Sequence, residues 1–274
     1  MDNRPIGVFD SGVGGLTAVR ELRKILPGED IVYFGDTGRV PYGSRSKQTI
    51  VKYSIQDMKY LLSHDVKAIL AACGTVSSNI TEKELSSANI NVPYFGIVTP
   101  ATHAACGLSQ TGKIGVMATT AAIRSGAYGK ALRTIQPNAQ LIGNSAPLLV
   151  PIVENGMTDK DNQITRLTLE LYLEPFIREE VDTLILGCTH YPMLYDAINE
   201  ALGYNVTLVD AGAAAAHELK VMLWENDLLA GRESGNVRYY VTDTVDNFVA
   251  VAKNFMFEDI ESSTNYVDID DISL

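Results

Sequence analysis

Two short apolar runs repeat one pattern along this chain. Residues 66–75 read VKAILAACGT and residues 181–189 read VDTLILGCT, and each reaches a Cys seven positions after its opening Val. An apolar run that ends in small and hydroxyl residues predicts a central parallel strand delivering its last residues to a site. The same elements recur in order around each run. Residues 6–11 (IGVFDS) predict a strand, followed by a glycine-bearing turn and an amphipathic helix to about residue 26. Their counterparts are a strand at 114–119 (IGVMAT) and a helix over about 121–135. A second strand at 31–34 leads into GDTGRVPYG, as Leu141 and Ile142 lead into APLLVPIVENG, with Val40-Pro41 and Val150-Pro151 in similar places. Long helices are expected at about 46–62 and 159–177, then the Cys strands, then a helix and an Asn-Val strand opening at Asn91 and at Asn205.

The four landmarks lie 108 (6 to 114), 110 (31 to 141), 115 (66 to 181) and 114 (91 to 205) positions apart. One similar pair would say little; four in order indicate an internal duplication. Strands alternating with helices imply right-handed βαβ units. The expected fold class is therefore α/β: two similar domains with mostly parallel sheets facing each other across a cleft. The expected domains are 1–97 plus 209–274 and 98–208. After Asp210 come an Ala-rich helix to about residue 226, the β-rich RYYVT, a helix from about residue 245, and an edge strand near 266–269. This segment has no partner in the duplication and is expected to pack on the first domain, ending in a solvated acidic tail.

Composition narrows the possible partners. A net charge of −11 argues against nucleic-acid and anionic-membrane surfaces. No apolar run approaches the roughly 20 residues that span a bilayer, and the N-terminal stretch carries no apolar signal core. Cys73, Cys106 and Cys188 lack CxxC spacing, so they make neither a disulfide framework nor a zinc site. Reduced thiols point to the cytoplasm.

A Cys in an apolar strand is usually a small buried hydrophobe, and Cys106 takes that reading. Cys73 and Cys188 differ, since each closes a strand and is followed within two residues by Thr. A helix N-terminus beyond each would favour the thiolate and supply free N–H donors. The matched pair suggests one thiol on each side of a bound molecule. His190, two residues past Cys188, can tune or protonate that thiol. His64, His103 and His217 form no metal-ligand spacing. FDSGVGGL lacks the GxGxxG and GK[ST] signatures; it reads as a tight strand-to-helix turn whose N–H groups could face a carboxylate. Asp10, just before that turn, could cap a helix or orient an ammonium group or a thiol.

FDSGVGGL, DTGRVPYG, AACGT, IRSGAY, VPIVENG, GCTHYPML and LVDAGAAAA together resemble the cofactor-independent glutamate racemases of the aspartate/glutamate racemase superfamily, over nearly the whole chain. The resemblance implies substrate enclosed between two α/β domains, with neither pyridoxal phosphate nor metal, and D-glutamate made for peptidoglycan by a homodimer. Carried over, Cys73 and Cys188 are the acid/base thiols, acting on the D- and the L-enantiomer respectively. Asp10 assists Cys73, and Glu154 with His190 assists Cys188. Ser11, Pro41, Tyr42, Gly43, Gly74, Thr75, Thr119 and Thr189 hold substrate through N–H groups and hydroxyls.

Three positions depart from the pattern. Gly74 stands where the family usually has Asn, an exchange expected to leave room for a water; Ala122 replaces a hydroxyl and Ala211 a Ser. The alternatives are racemisation of another acidic amino acid such as aspartate, a non-catalytic amino-acid-binding module, and a thiol–disulfide oxidoreductase. The last would need Cys73 and Cys188 to pair reversibly.

Overall fold

The computed structural model describes residues 1–256 and 258–272. The chain builds β1 (Ile6–Asp10), α1 (Leu16–Ile25), β2 (Ile31–Gly35), α2 (Lys47–Leu62), β3 (Ala68–Ala71), α3 (Gly74–Ser77), α4 (Glu82–Ser87), β4 (Tyr94–Gly96) and α5 (Val98–Leu108). It continues with β5 (Lys113–Ala118), α6 (Thr120–Ser125), α7 (Ala127–Ile135), β6 (Gln140–Ser145), α8 (Leu149–Glu154), α9 (Gln163–Arg178), β7 (Thr183–Leu186), α10 (Tyr195–Ala201) and β8 (Thr207–Asp210). The last elements are α11 (Ala211–Glu225), β9 (Val237–Val241), α12 (Val245–Ala252) and β10 (Thr264–Tyr266).

All pairings are parallel. One sheet runs β10-β9-β2-β1-β3-β4 and the other β6-β5-β7-β8. Stripped of β9 and β10, the first order is β2-β1-β3-β4, which maps strand for strand onto the second. The duplication legible in the sequence is therefore a duplication of topology. The unmatched segment extends the first sheet beyond β2, as expected. Glu258, Asp259, Glu261, Asp268 and Asp270 are exposed, yet the tail is anchored: Ile260 and Ile272 are buried, and Glu258 pairs with Arg23.

Strands β1, β2, β3 and β7 are buried at every residue, which is why they read as unbroken apolar runs rather than alternating ones. β3 and β7 stop at Ala71 and Leu186, so each thiol sits two residues beyond its strand, on the turn leading to the next helical segment. Helices α1, α5 and α11 pack together and belong to a core cluster that reaches into both sheets.

Five elements differ from expectation in their boundaries. The helix expected over 121–135 is two, because Gly126 takes φ 69° and ends α6 before α7 begins. α9 starts at Gln163, where the Asn162 side chain accepts the Ile164 and Thr165 N–H groups. The strands expected to open at Asn91 and Asn205 begin at Tyr94 and Thr207. The edge strand lies at Thr264–Tyr266 rather than 266–269, since the Asp268 side chain accepts the Asp270 N–H and turns the chain into a 3-10 segment.

Candidate active site

Parallel sheets of this kind present their carboxyl ends to ligands, and here the two sets of strand ends enclose a cavity of about 410 Å³. Its walls include Ser11, Pro41, Tyr42, Gly43, Cys73, Gly74 and Thr75 from the first half, and Thr119, Glu154, Cys188, Thr189 and His190 from the second. Of the catalytic and substrate-binding residues that the resemblance implies, Asp10 alone is not in the wall; it is buried beneath it.

The first thiol stands over a carboxylate. Cys73 is the N-cap of α3 and lies 3.5 Å from the Ser11 hydroxyl. Burial, and then the nearby Asp10, pushes the Cys73 thiol up to about 12, so it is neutral near pH 7. Asp10, at the end of β1, accepts the Gly12 N–H at 2.8 Å and the Thr189 hydroxyl at 3.4 Å. Burial raises its carboxyl above the usual range, opposed by the His190 charge and by backbone N–H groups. Burial thus favours the protonated form of both neighbours.

The second thiol stands beside an imidazole. Cys188 Sγ lies 3.8 Å from His190 Nδ1, and His190 Nε2 lies 2.8 Å from Glu154 Oε1. Burial would lower the imidazole, but hydrogen bonds to Cys188 and Glu154 outweigh it and raise His190 to about 10. The ring is therefore a cation near neutral pH, wedged edge-on against Phe255 at 5.5 Å between centroids.

Contacts between the halves close the cavity's edges. The Thr75 and Thr119 hydroxyls meet at 2.8 Å, the Thr17 hydroxyl donates to Thr189 O at 3.1 Å, and the Ala121 N–H donates to Gly43 O at 3.0 Å. Gly74 leaves no space for the water expected there. A Cβ at residue 74 would lie 2.1 Å from Gly187 O, so the main chain of the second half already fills that place. Ala122 is buried, and its N–H donates to Thr119 Oγ1 at 3.3 Å. Ala211 is the buried first residue of α11.

Sequence reasoning passed over the cluster that holds the Val40–Gly43 loop. Arg39 donates to Asp36 Oδ2 at 2.6 Å, to Asp57 Oδ1 at 2.9 Å and to Gln56 Oε1 at 2.6 Å. The buried Tyr42 phenol donates to Asp36 and lies 3.1 Å from Asp57 Oδ2. Burial and the Asp36 charge hold the Asp57 carboxyl well above its ordinary value. The apolar wall residues Val40, Val150 and Pro151 were also missed as site residues, although the matched Val-Pro pairs were the available signal. Among the described residues, no group of three His, Cys, Asp or Glu side chains is placed to hold a metal ion. Nor is any helix among them long and apolar enough to cross a membrane.

Two matched parallel-sheet halves, closed over a small cavity with a thiol and its proton partner at each side, define a clamp for acid/base chemistry on a small molecule. Comparison with known proteins gives that class its family. The Asp/Glu/Hydantoin racemase family model matches residues 17–219, and the chain belongs to this family. It is 40% identical over 257 residues to the glutamate racemase of Geobacter metallireducens, covering 93% of this chain and 94% of that one. The solved glutamate racemase of Francisella tularensis in complex with D-glutamate is 38% identical, with a TM-score of 0.90 over 99% of this chain and 100% of that one. A glutamate racemase isoform of Bacillus anthracis is 34% identical, with a TM-score of 0.92 over 98% of each chain.

Proposed function

We propose that this protein is a glutamate racemase, interconverting L- and D-glutamate by moving the Cα proton between Cys73 and Cys188. The observation that carries the reading is the pair of thiols at equivalent strand ends of one cavity, each with its own proton partner. In one direction the Cys188 thiolate takes the Cα–H of L-glutamate, and the Cys73 thiol gives its proton to the opposite face. In the other, Cys73, deprotonated through Asp10, takes the Cα–H of D-glutamate, and Cys188 returns a proton. One C–H bond breaks and one forms on the same carbon, so no oxidant or reductant enters. His190, held by Glu154, stands beside the Cys188 sulfur. The Thr75, Thr119 and Thr189 hydroxyls, with the N–H groups of Ser11, Gly43 and Gly74, receive the substrate carboxylates and the charge that builds at Cα. Product D-glutamate would serve peptidoglycan synthesis, in the cytoplasm and from a homodimer, whose mass sedimentation would give directly.

The test is circular dichroism of each enantiomer of glutamate and aspartate, with reductant, alongside Cα hydrogen exchange in deuterated water. Loss of rotation with glutamate, abolished in Cys73→Ala and Cys188→Ala, is the expected result. Rotation lost with aspartate instead would move the substrate. Binding without exchange would sink the enzyme reading in favour of an amino-acid-binding module.

A further inference from the structure

Gly187, the residue before Cys188, is a point where the main chains of the two halves pass close together, and it is backed by a side chain outside the cavity wall. Its N–H donates to Met117 O at 2.8 Å, tying the end of β7 to the end of β5. Its carbonyl occupies the place of a Gly74 side chain, next to Cys73. Its Cα faces the Tyr128 phenol: a Cβ at residue 187 would lie 2.8 Å from the Tyr128 oxygen and 3.0 Å from the Ala118 Cβ. Tyr128, near the start of α7, is 2% exposed, and its buried hydroxyl has no hydrogen-bond partner. Leaving such a group unpaired is unfavourable by an amount a Phe would avoid. The hydroxyl senses both thiols: burial raises it most, then Cys188, then Cys73, so it keeps its proton and has it to donate.

We propose that Tyr128 is a positioning residue for the two-thiol reaction, its phenol O–H poised behind the Gly187 peptide as a donor for the negative charge that passes between Cys188 and Cys73. The proposal rests on the racemase reading above. In each direction a thiolate disappears on one side of the cavity and appears on the other. A fixed dipole within electrostatic reach of both helps hold each, in turn, in its charged and reactive form. Its proton is not transferred. A side chain that merely filled volume would give the opposite outcome when its oxygen is removed, since deleting an unpaired buried hydroxyl is neutral or stabilising.

Tyr128→Phe separates the two. The expected result is a kcat lowered roughly tenfold in both directions, a KM within about twofold, and a melting temperature no lower than wild type. Iodoacetamide alkylation of Cys73 and Cys188, followed against pH by peptide mass spectrometry, should shift to higher pH. Site-specific 3-fluorotyrosine at 128, a stronger donor of nearly the same shape, should shift it to lower pH. Wild-type kcat in Tyr128→Phe together with unchanged alkylation profiles in both variants would overturn the proposal. The alkylation arm needs no turnover. A wild-type protein that racemises nothing therefore refutes the racemase reading, while the alkylation profiles still decide whether Tyr128 acts on the thiols.

Discussion

Cys73 and His190 are displaced from their ordinary titration ranges for opposite reasons, and each displacement has a consequence outside catalysis. Cys73 is raised from 9.0 to about 12 by burial and by Asp10. Below pH 9 both folded and unfolded chains hold the thiol proton, and the full stability is present. Between about 9 and about 12 the unfolded chain has lost that proton while the folded chain keeps it, so stability falls as pH rises, by up to about 1.4 kcal/mol per unit. Denaturant titrations of Cys73→Ala and wild type should therefore converge in slope below pH 9 and separate above it, the variant losing less. Parallel curves to pH 11 would refute the shift. His190 is raised from 6.5 to about 10, with Cys188 and Glu154 overcoming burial. Its contribution is complete below 6.5 and lost as pH rises through 10. Glu154→Gln removes one of the two raising partners. The His190 titration followed by NMR should move down, and kcat from L-glutamate should fall by roughly a hundredfold, the size of a positioned acid/base contribution. Whatever factor kcat/KM loses from L-glutamate, the D-to-L direction must lose in kcat/KM as well, because the overall equilibrium is fixed.

At the scale of elements, the order of strands and helices was legible because each central strand is buried on both faces and so writes itself as an apolar run. The break at Gly126 was not, since the 3.6-residue pattern continues through it and only the left-handed φ of 69° ends the helix. Gly126→Ala should lower stability by about 1 kcal/mol without touching the thiols; an unchanged denaturation midpoint would mean the turn tolerates a side chain. The Arg39 cluster was equally hidden. Its members come from the loop after β2, from α2 and from the residue following β9, where the Thr242 hydroxyl donates to Asp36 Oδ1 at 2.8 Å, and no local spacing connects them. Arg39 is the guanidinium between two buried carboxylates. Arg39→Met should therefore destabilise by about 3–5 kcal/mol, as expected when one partner of a buried ionic group is removed. The loop carrying Pro41, Tyr42 and Gly43 would loosen with it and raise KM for glutamate. Loss of stability with an unchanged KM would confine the cluster to folding. The charged residue opening each Cys strand shows how duplicated elements diverge. Lys67 is buried against Glu29 at 2.5 Å and donates to two carbonyls, whereas Asp182 accepts from Ser109, Gln110 and Thr111 and is lowered to about 2. Opposite charges hold the same topological corner.

Across the whole molecule, the net charge of −11 opposes the approach of a ligand carrying two carboxylates and one ammonium. The cavity answers with donors of short range: threonine hydroxyls, turn N–H groups and the His190 cation. Long-range repulsion and short-range capture respond differently to salt. Exposed charges are felt over about 30 Å at 0.01 M ionic strength and about 8 Å at 0.15 M. Contacts inside a buried cavity are screened far less. Raising the ionic strength across that range with an inert salt should therefore increase kcat/KM for glutamate, by roughly twofold for a repulsion of a few tenths of a kcal/mol, while kcat holds steady. Neutralising exposed acids outside the cavity wall, such as Glu225 and Glu233, should mimic the salt and flatten its effect. A kcat/KM that falls as salt is added would show instead that an attractive field at the cavity mouth outweighs the global charge, and that capture begins before the substrate touches its donors.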